Sequence, residues 1–138
     1  MLARILKIGK RREDAGPETA AERAGELFAT GLNCAQAVLQ ATTGVDDPGM
    51  MGMAEAFGGG VGGSKCLCGA VSGGVMALGL KGKGNKAGRL VEAFKERHRV
   101  TCCVALSRPY KWKSREHLAN CRRITEETAE MVARLLEE

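Results

Sequence analysis

Residues 57–80, "FGGGVGGSKCLCGAVSGGVMALGL", decide how this chain is read, because they can open a nucleotide-binding βαβ unit or the central helix of a bundle. Gly58, Gly60 and Gly63 formally satisfy G-x-G-x-x-G. That turn needs a strand before it, a helix after it and an acidic residue about 20 positions further on. The preceding "GMAEAF" reads as helix rather than strand. The other phosphate-binding pattern, G-x-x-x-x-G-K-[ST], fails because Ser64 and Lys65 follow Gly63 in the wrong order. Beyond the glycines, "SKCLCGAVSGGVMALGL" is too rich in Gly and Ala for a strand. With Ser64 as N-cap it reads as a helix packed closely on its neighbours. The loop glycines then serve as room for the backbone around two cysteines rather than as a phosphate cradle.

Helical signals extend outward on both sides. "PETAAERAGELFATG" has Pro17 at a first helical position, Glu18 in the first turn and Gly31 as a stop. "NCAQAVLQATTG" offers Asn33 as N-cap and ends before Gly44. A turn at residues 47–49 leads into a short Met-rich helix up to Phe57, whose Met50, Met51 and Met53 either fill core or offer an adaptable contact surface. After the basic turn "KGKGNKAG", the stretch "RLVEAFKERHRVTCCVALSR" keeps Leu90, Val91, Phe94, Val100, Cys103 and Val104 at helical spacing and stops before Pro109. A terminal helix from about Asn120 carries Ile124, Thr128, Met131 and Leu135 on one stripe. No alternating strand pattern and no internal repeat is present. The sum is an all-α, single-domain bundle of about five or six helices over residues 1–138, with a glycine-rich loop before the central helix. Residues 1–16 are expected to form a basic, loosely ordered N-terminal segment.

Composition agrees with one globular domain: 138 residues, 44% apolar and 27% charged, with only 4% aromatic, leave the core to Leu, Val, Ala and Met. The net charge of +5 comes mainly from residues 7–12, 81–89 and 108–115. These blocks lack interleaved aromatics and any nucleic-acid motif, so they are expected to be solvated basic loops with no nucleic-acid partner. The stretch "MLARILKIGKRRED" has no long apolar region or small-residue cleavage site, which points to a cytoplasmic protein. No window reaches the roughly 18 consecutive apolar residues of a membrane span.

Six cysteines in a reducing compartment favour metal ligands, catalytic thiols or redox couples over a static disulfide framework. A thiol at a helix N-terminus faces unpaired backbone N–H groups and the positive end of the macrodipole, which favour its thiolate. Cys34 follows Asn33, Cys66 and Cys68 follow Ser64, and Cys121 follows Asn120 beside Arg122 and Arg123. One such cysteine alone would be read as a small buried hydrophobe; three placements together favour chemistry. In regular helix the sulfurs of Cys66 and Cys68 would point roughly 200° apart. The vicinal Cys102 and Cys103 would need backbone distortion to bond to each other. Long-range pairing or clustering is therefore expected. His98 and His117 lack zinc-type C-x-x-C or H-x-x-x-H spacing and read first as exposed or capping side chains.

Cys34 after an asparagine, the 57–80 stretch with "CGAVSG" at residues 68–73, "CVAL" from Cys103, and Cys121 before the last helical stripe together resemble the redox-active family with the C_GCAxxG_C_C motif. The resemblance runs from about residue 21 to the C-terminus, and its most specific part is "CGAVSG" with the glycines before it. It implies that the four family cysteines are Cys34, Cys68, Cys103 and Cys121. It further implies a glycine turn at Gly58, Gly59 and Gly60, and tight packing at Gly69, Ala70 and Gly73. Cys66 and Cys102 stand outside the four-cysteine pattern. Members commonly occur beside transporter genes, which implies a transporter association. Some related sequences look like c-type cytochromes, but no C-x-x-C-H is present for covalent haem.

The leading expectation is thiol–disulfide exchange or electron transfer by the four converging cysteines with an unidentified redox partner. Cys68 is expected to be the first nucleophile, Cys34 or Cys121 to resolve, and Lys65 to add positive charge. The alternative is that the same four thiolates hold zinc, copper(I) or an iron–sulfur cluster. A structural or partner-binding helical domain is the third class. Faces rich in Gly and Ala also suit close contact between two copies, so a homodimer is expected.

Overall fold

The computed structural model describes residues 19–138, and the described residues contain helices and no strand. The basic segment expected at 1–16, and Pro17 and Glu18 with it, lie outside the described residues. Helix α1 (Ala20–Ala29) begins where Thr19 and Glu22 cap each other: Glu22 N donates to Thr19 Oγ1 at 3.0 Å, and Thr19 N donates to Glu22 Oε1 at 3.1 Å. This reciprocal capping places the start beyond Pro17, correcting the proline-led reading. Helix α2 (Cys34–Thr43) is capped as expected by Asn33, here reciprocally with Gln36, and ends on the left-handed Gly44. In α3 (Pro48–Glu55), Asp47 Oδ2 accepts from Met50 N at 2.9 Å, with Pro48 in the first turn.

The central helix α4 (Gly69–Leu80) starts later than the N-cap assigned to Ser64. The Ser64 hydroxyl donates instead to the Cys66 carbonyl at 2.7 Å, so residues 64–67 belong to the loop. Helix α5 (Ala87–His98) stops at Arg99, whose φ of 73° leaves helical space. The expected continuation through Val104 is broken into a loop and the single turn α6 (Cys103–Leu106), and Val100 and Val104 face solvent rather than core. Helix α7 (Arg115–Glu137) is capped by Ser114, which accepts from His117 N at 3.2 Å. It therefore begins ahead of Asn120, and Cys121 lies inside it rather than at its start. Ile124, Thr128 and Leu135 of the expected stripe are buried.

Helix α2 packs chiefly on α4, α1 on α7, and α5 closes the far side of α4. The core gathers Val38, Leu39, Val71, Leu78, Leu90, Phe94, Ile124 and Val132 between them. A smaller cluster of Ala20, Ala24, Ala41 and Ala129 lets α1 sit close on α2 and α7. The tightest crossing lies between α2 and α4. A Cβ at Gly73 would lie within 2.9 Å of Ala35 Cα and closer still to the Ala35 carbonyl oxygen. Among the described residues, no helix is long and apolar enough to cross a membrane.

Two glycines of α4 separate packing from propensity. Gly73 has backbone against it, whereas a Cβ at Gly79 would meet nothing within 4 Å. Gly73→Ala is expected to destabilise by about 1–3 kcal/mol through overpacking. Gly79→Ala is expected to stabilise by about 0.5–1 kcal/mol through helix propensity. Urea unfolding of the two variants measures both, and changes of the same sign would refute the close crossing.

Candidate functional site

The loop between α3 and α4 positions the site. Gly60 has a φ of +87°, and a Cβ there would sit 2.6 Å from Lys65 N, so only glycine permits this turn. The turn folds the loop back on itself, with Lys65 N donating to Gly59 O at 2.8 Å and Val61 N to Cys66 O at 2.9 Å. Residues 65–68 then lie against residues 101–104: Cys68 N donates to Thr101 O at 2.7 Å, and Val104 N donates to Lys65 O at 3.0 Å. A disulfide between Cys66 and Cys102 joins the same two segments across 36 residues of sequence. The two cysteines outside the four-residue pattern are thus paired with each other, as long-range rather than neighbouring partners.

The other four cysteines are free and all line one cavity of about 770 Å³. Cys34 is the first residue of α2, Cys68 the N-cap residue of α4, Cys103 the first residue of α6, and Cys121 lies in the second turn of α7. Of the glycines expected to shape the site, Gly58 packs under the Asn33 cap and Gly59 directs a backbone hydrogen bond to Cys34. A Cβ at Gly69 would lie 2.5 Å from Cys34 Sγ.

The thiols differ in charge. Cys68 and Cys103 are hydrogen-bonded sulfur to sulfur. The bond from Cys68, aided by a backbone hydrogen bond from Gly69, brings Cys103 down to about 7 despite burial. The same bond, then burial, pushes Cys68 well above the ordinary thiol range. The interaction thus acts in opposite directions on the two thiols, lowering Cys103 and raising Cys68, whereas a helix start alone would favour charge on Cys68. Burial raises Cys34 although Gly59 bonds to it. Burial, with repulsion from Cys34 and Cys103, pushes Cys121 up to about 12. Cys121 does not sit at a helix N-terminus as expected, because Ser114, not Asn120, caps α7.

His117 has a defined tautomer. Lys113 N donates to its Nδ1 at 2.7 Å, which leaves Nε2 to carry the proton toward Cys121 Sγ at 3.4 Å. Trp112 stacks on the imidazole with ring centroids 4.3 Å apart, and Lys65 Nζ lies 4.4 Å over the Trp112 ring. Burial, and then Lys65, lower the His117 pKa and keep the ring neutral at physiological pH. His117 is thus buried rather than exposed, and through Nδ1 it takes a backbone N–H just ahead of α7 as a capping side chain does. The i, i+4 spacing of His117 and Cys121 was a usable sequence signal, hidden by starting the terminal helix at Asn120. His98 does not line the cavity; it stacks on Phe94 and faces Glu127 across 3.1 Å. Among the described residues, no group of three or more His, Cys, Asp or Glu side chains is arranged to hold a metal ion.

No curated protein and no solved structure matches this chain. One family model does, over residues 32–135, a range that contains all six cysteines and runs from the Asn33 cap almost to the end of α7. The chain belongs to the family described as "Putative redox-active protein (C_GCAxxG_C_C)".

Proposed function

We propose that this protein carries out thiol–disulfide exchange, with Cys103 as the attacking thiolate and Cys68 as the resolving thiol. The observation that supports this reading is the sulfur–sulfur hydrogen bond between them at the wall of a cavity. It provides a nucleophile charged near neutral pH and, in contact with it, a thiol that still holds its proton. Attack by Cys103 on a partner disulfide forms a mixed disulfide and releases one partner thiolate. Cys68 then attacks the Cys103 sulfur, its proton passing to a departing thiolate. An intramolecular Cys68/Cys103 disulfide forms, the second partner thiolate leaves, and two electrons have moved from the protein to the partner. Cys34 and Cys121, held protonated beside the pair, leave Cys103 as the one activated sulfur.

Alkylation tests the nucleophile, since only thiolate reacts and its population grows as pH rises through the pKa. The rate of Cys103 modification by iodoacetamide, followed by peptide mass spectrometry, is expected to reach half its maximum near pH 7. Cys68→Ala removes the donor and should move that midpoint up toward the ordinary thiol pKa of about 8.5. Cys68→Ser keeps an O–H donor and should move it less. Identical midpoints in the wild type and Cys68→Ala would remove the hydrogen bond from the mechanism.

Equilibration in dithiothreitol redox buffers tests the couple. The four free thiols are expected to fall to two on oxidation, with Cys68 and Cys103 cross-linked, and to return on reduction. Loss of Cys34 and Cys121 instead, or of no thiols, would contradict the proposal.

A further inference from the structure

The cavity itself limits what can reach the pair. Cys68 and Cys103 retain only 6% and 8% of their surface, so a disulfide on a folded partner is sterically kept from them. A small molecule entering the cavity is not, and about 770 Å³ lies within the usual range for small-ligand sites. Phe28, Leu32, Trp112, Leu118 and Ile124 make its walls apolar and aromatic, while Glu55 and Lys113 contribute opposite charges.

Thr125 adds an independent observation. It is fully buried, it lines the cavity, and its hydroxyl has no hydrogen-bond partner. Thr128, one turn further along α7, bonds back to Ile124 O at 2.8 Å, the ordinary outcome for a helical threonine. A buried hydroxyl left unpaired is costly and is relieved when a ligand supplies the partner.

We infer that the cavity is the substrate site for a small, uncharged disulfide with an aromatic or alkyl body and a hydrogen-bonding group within reach of Thr125. This rests on the exchange chemistry proposed above and assigns its substrate class. For a substrate RSSR, Cys103 thiolate takes one RS group and releases RS⁻. Cys68 thiol then displaces the second RS group, and its proton is taken up by one of the two products. The protein leaves as the Cys68/Cys103 disulfide, with one RSH and one RS⁻ formed.

Stopped-flow oxidation of the reduced protein by three disulfides tests the assignment: dithiodipyridine, uncharged and aromatic; dithiobis(nitrobenzoate), aromatic but dianionic; and insulin, a protein disulfide. Each rate is divided by that of the same disulfide with mercaptoethanol, which removes intrinsic reactivity. Dithiodipyridine is expected to lead the other two by about tenfold or more. Leu118 is 45% exposed, so Leu118→Trp can fold while narrowing the cavity, and should lower the dithiodipyridine rate about tenfold. Thr125→Val removes the hydroxyl at equal volume and should slow dithiodipyridine severalfold while raising the thermal midpoint. Equal normalised rates for the three disulfides, or unchanged dithiodipyridine rates in both variants, overturn the inference. Cross-linking of Cys68 and Cys103 is read on the same samples. If it fails in redox buffer the exchange chemistry itself is lost; if it succeeds with equal rates, only the substrate class is.

Discussion

The close crossing of α2 and α4 is the constraint on which the site depends. Gly69 and Gly73 let the first two turns of α4 lie against Cys34 and Ala35 at distances that a methyl group would forbid. The crossing sets the N-termini of two helices side by side and so brings Cys34 and Cys68 to one cavity. A larger residue at either position would separate the helices and the two sulfurs with them. The scarcity of aromatics and the run of buried alanines have the same physical source. Backbones this close leave space for small side chains, and Phe94 is the largest side chain in the fully buried interior.

Within that cavity, burial and hydrogen bonding compete for each thiol, and only one combination yields a thiolate. Desolvation acts against charge at Cys34, Cys68, Cys103 and Cys121 alike. At Cys34 the backbone amides of Gly59, Ala35 and Cys34 itself do not offset it, and at Cys121 the Nε2–H of His117 does not either. At Cys103 the Cys68 thiol, acting with the backbone amides of Gly69 and Cys103, prevails. Once Cys103 is charged, its field raises the remaining thiols further, so the first ionisation suppresses the next. In the exchange proposed above, the four cysteines would thus offer one thiolate beside three protonated neighbours.

The all-α class and the cap of α2 were legible because they follow from local rules: Asn33 and Gln36 cap each other three residues apart, and the apolar stripe of α7 repeats at helical spacing. The errors lie where the deciding interaction has no signature in residue spacing. Ser64 was a plausible cap, but its hydroxyl is taken by the Cys66 carbonyl two residues on, within a loop whose shape depends on Gly60. The break at Arg99 leaves no composition signal, since a left-handed arginine is held there by its surroundings rather than by preference. The convergence of Cys34, Cys68, Cys103 and Cys121 came from the family resemblance. The distinction between them came from the sulfur–sulfur contact, which joins residues 35 positions apart and has no expression in spacing.

The Cys66–Cys102 disulfide gains its meaning from the same junction. In the proposed exchange, Cys68 and Cys103 would pass between thiol and disulfide while the two segments that carry them keep their register. Two backbone hydrogen bonds, Cys68 to Thr101 and Val104 to Lys65, set that register. The Cys66–Cys102 link, two residues from Cys68 and one from Cys103, joins the same two segments covalently. Closing a loop of 36 residues also removes unfolded-state freedom worth on the order of 3–4 kcal/mol in the chain-entropy account, between the loops that lead into α4 and α6. The two cysteines outside the family's four therefore tie these segments together, and the four inside it line the cavity as free thiols.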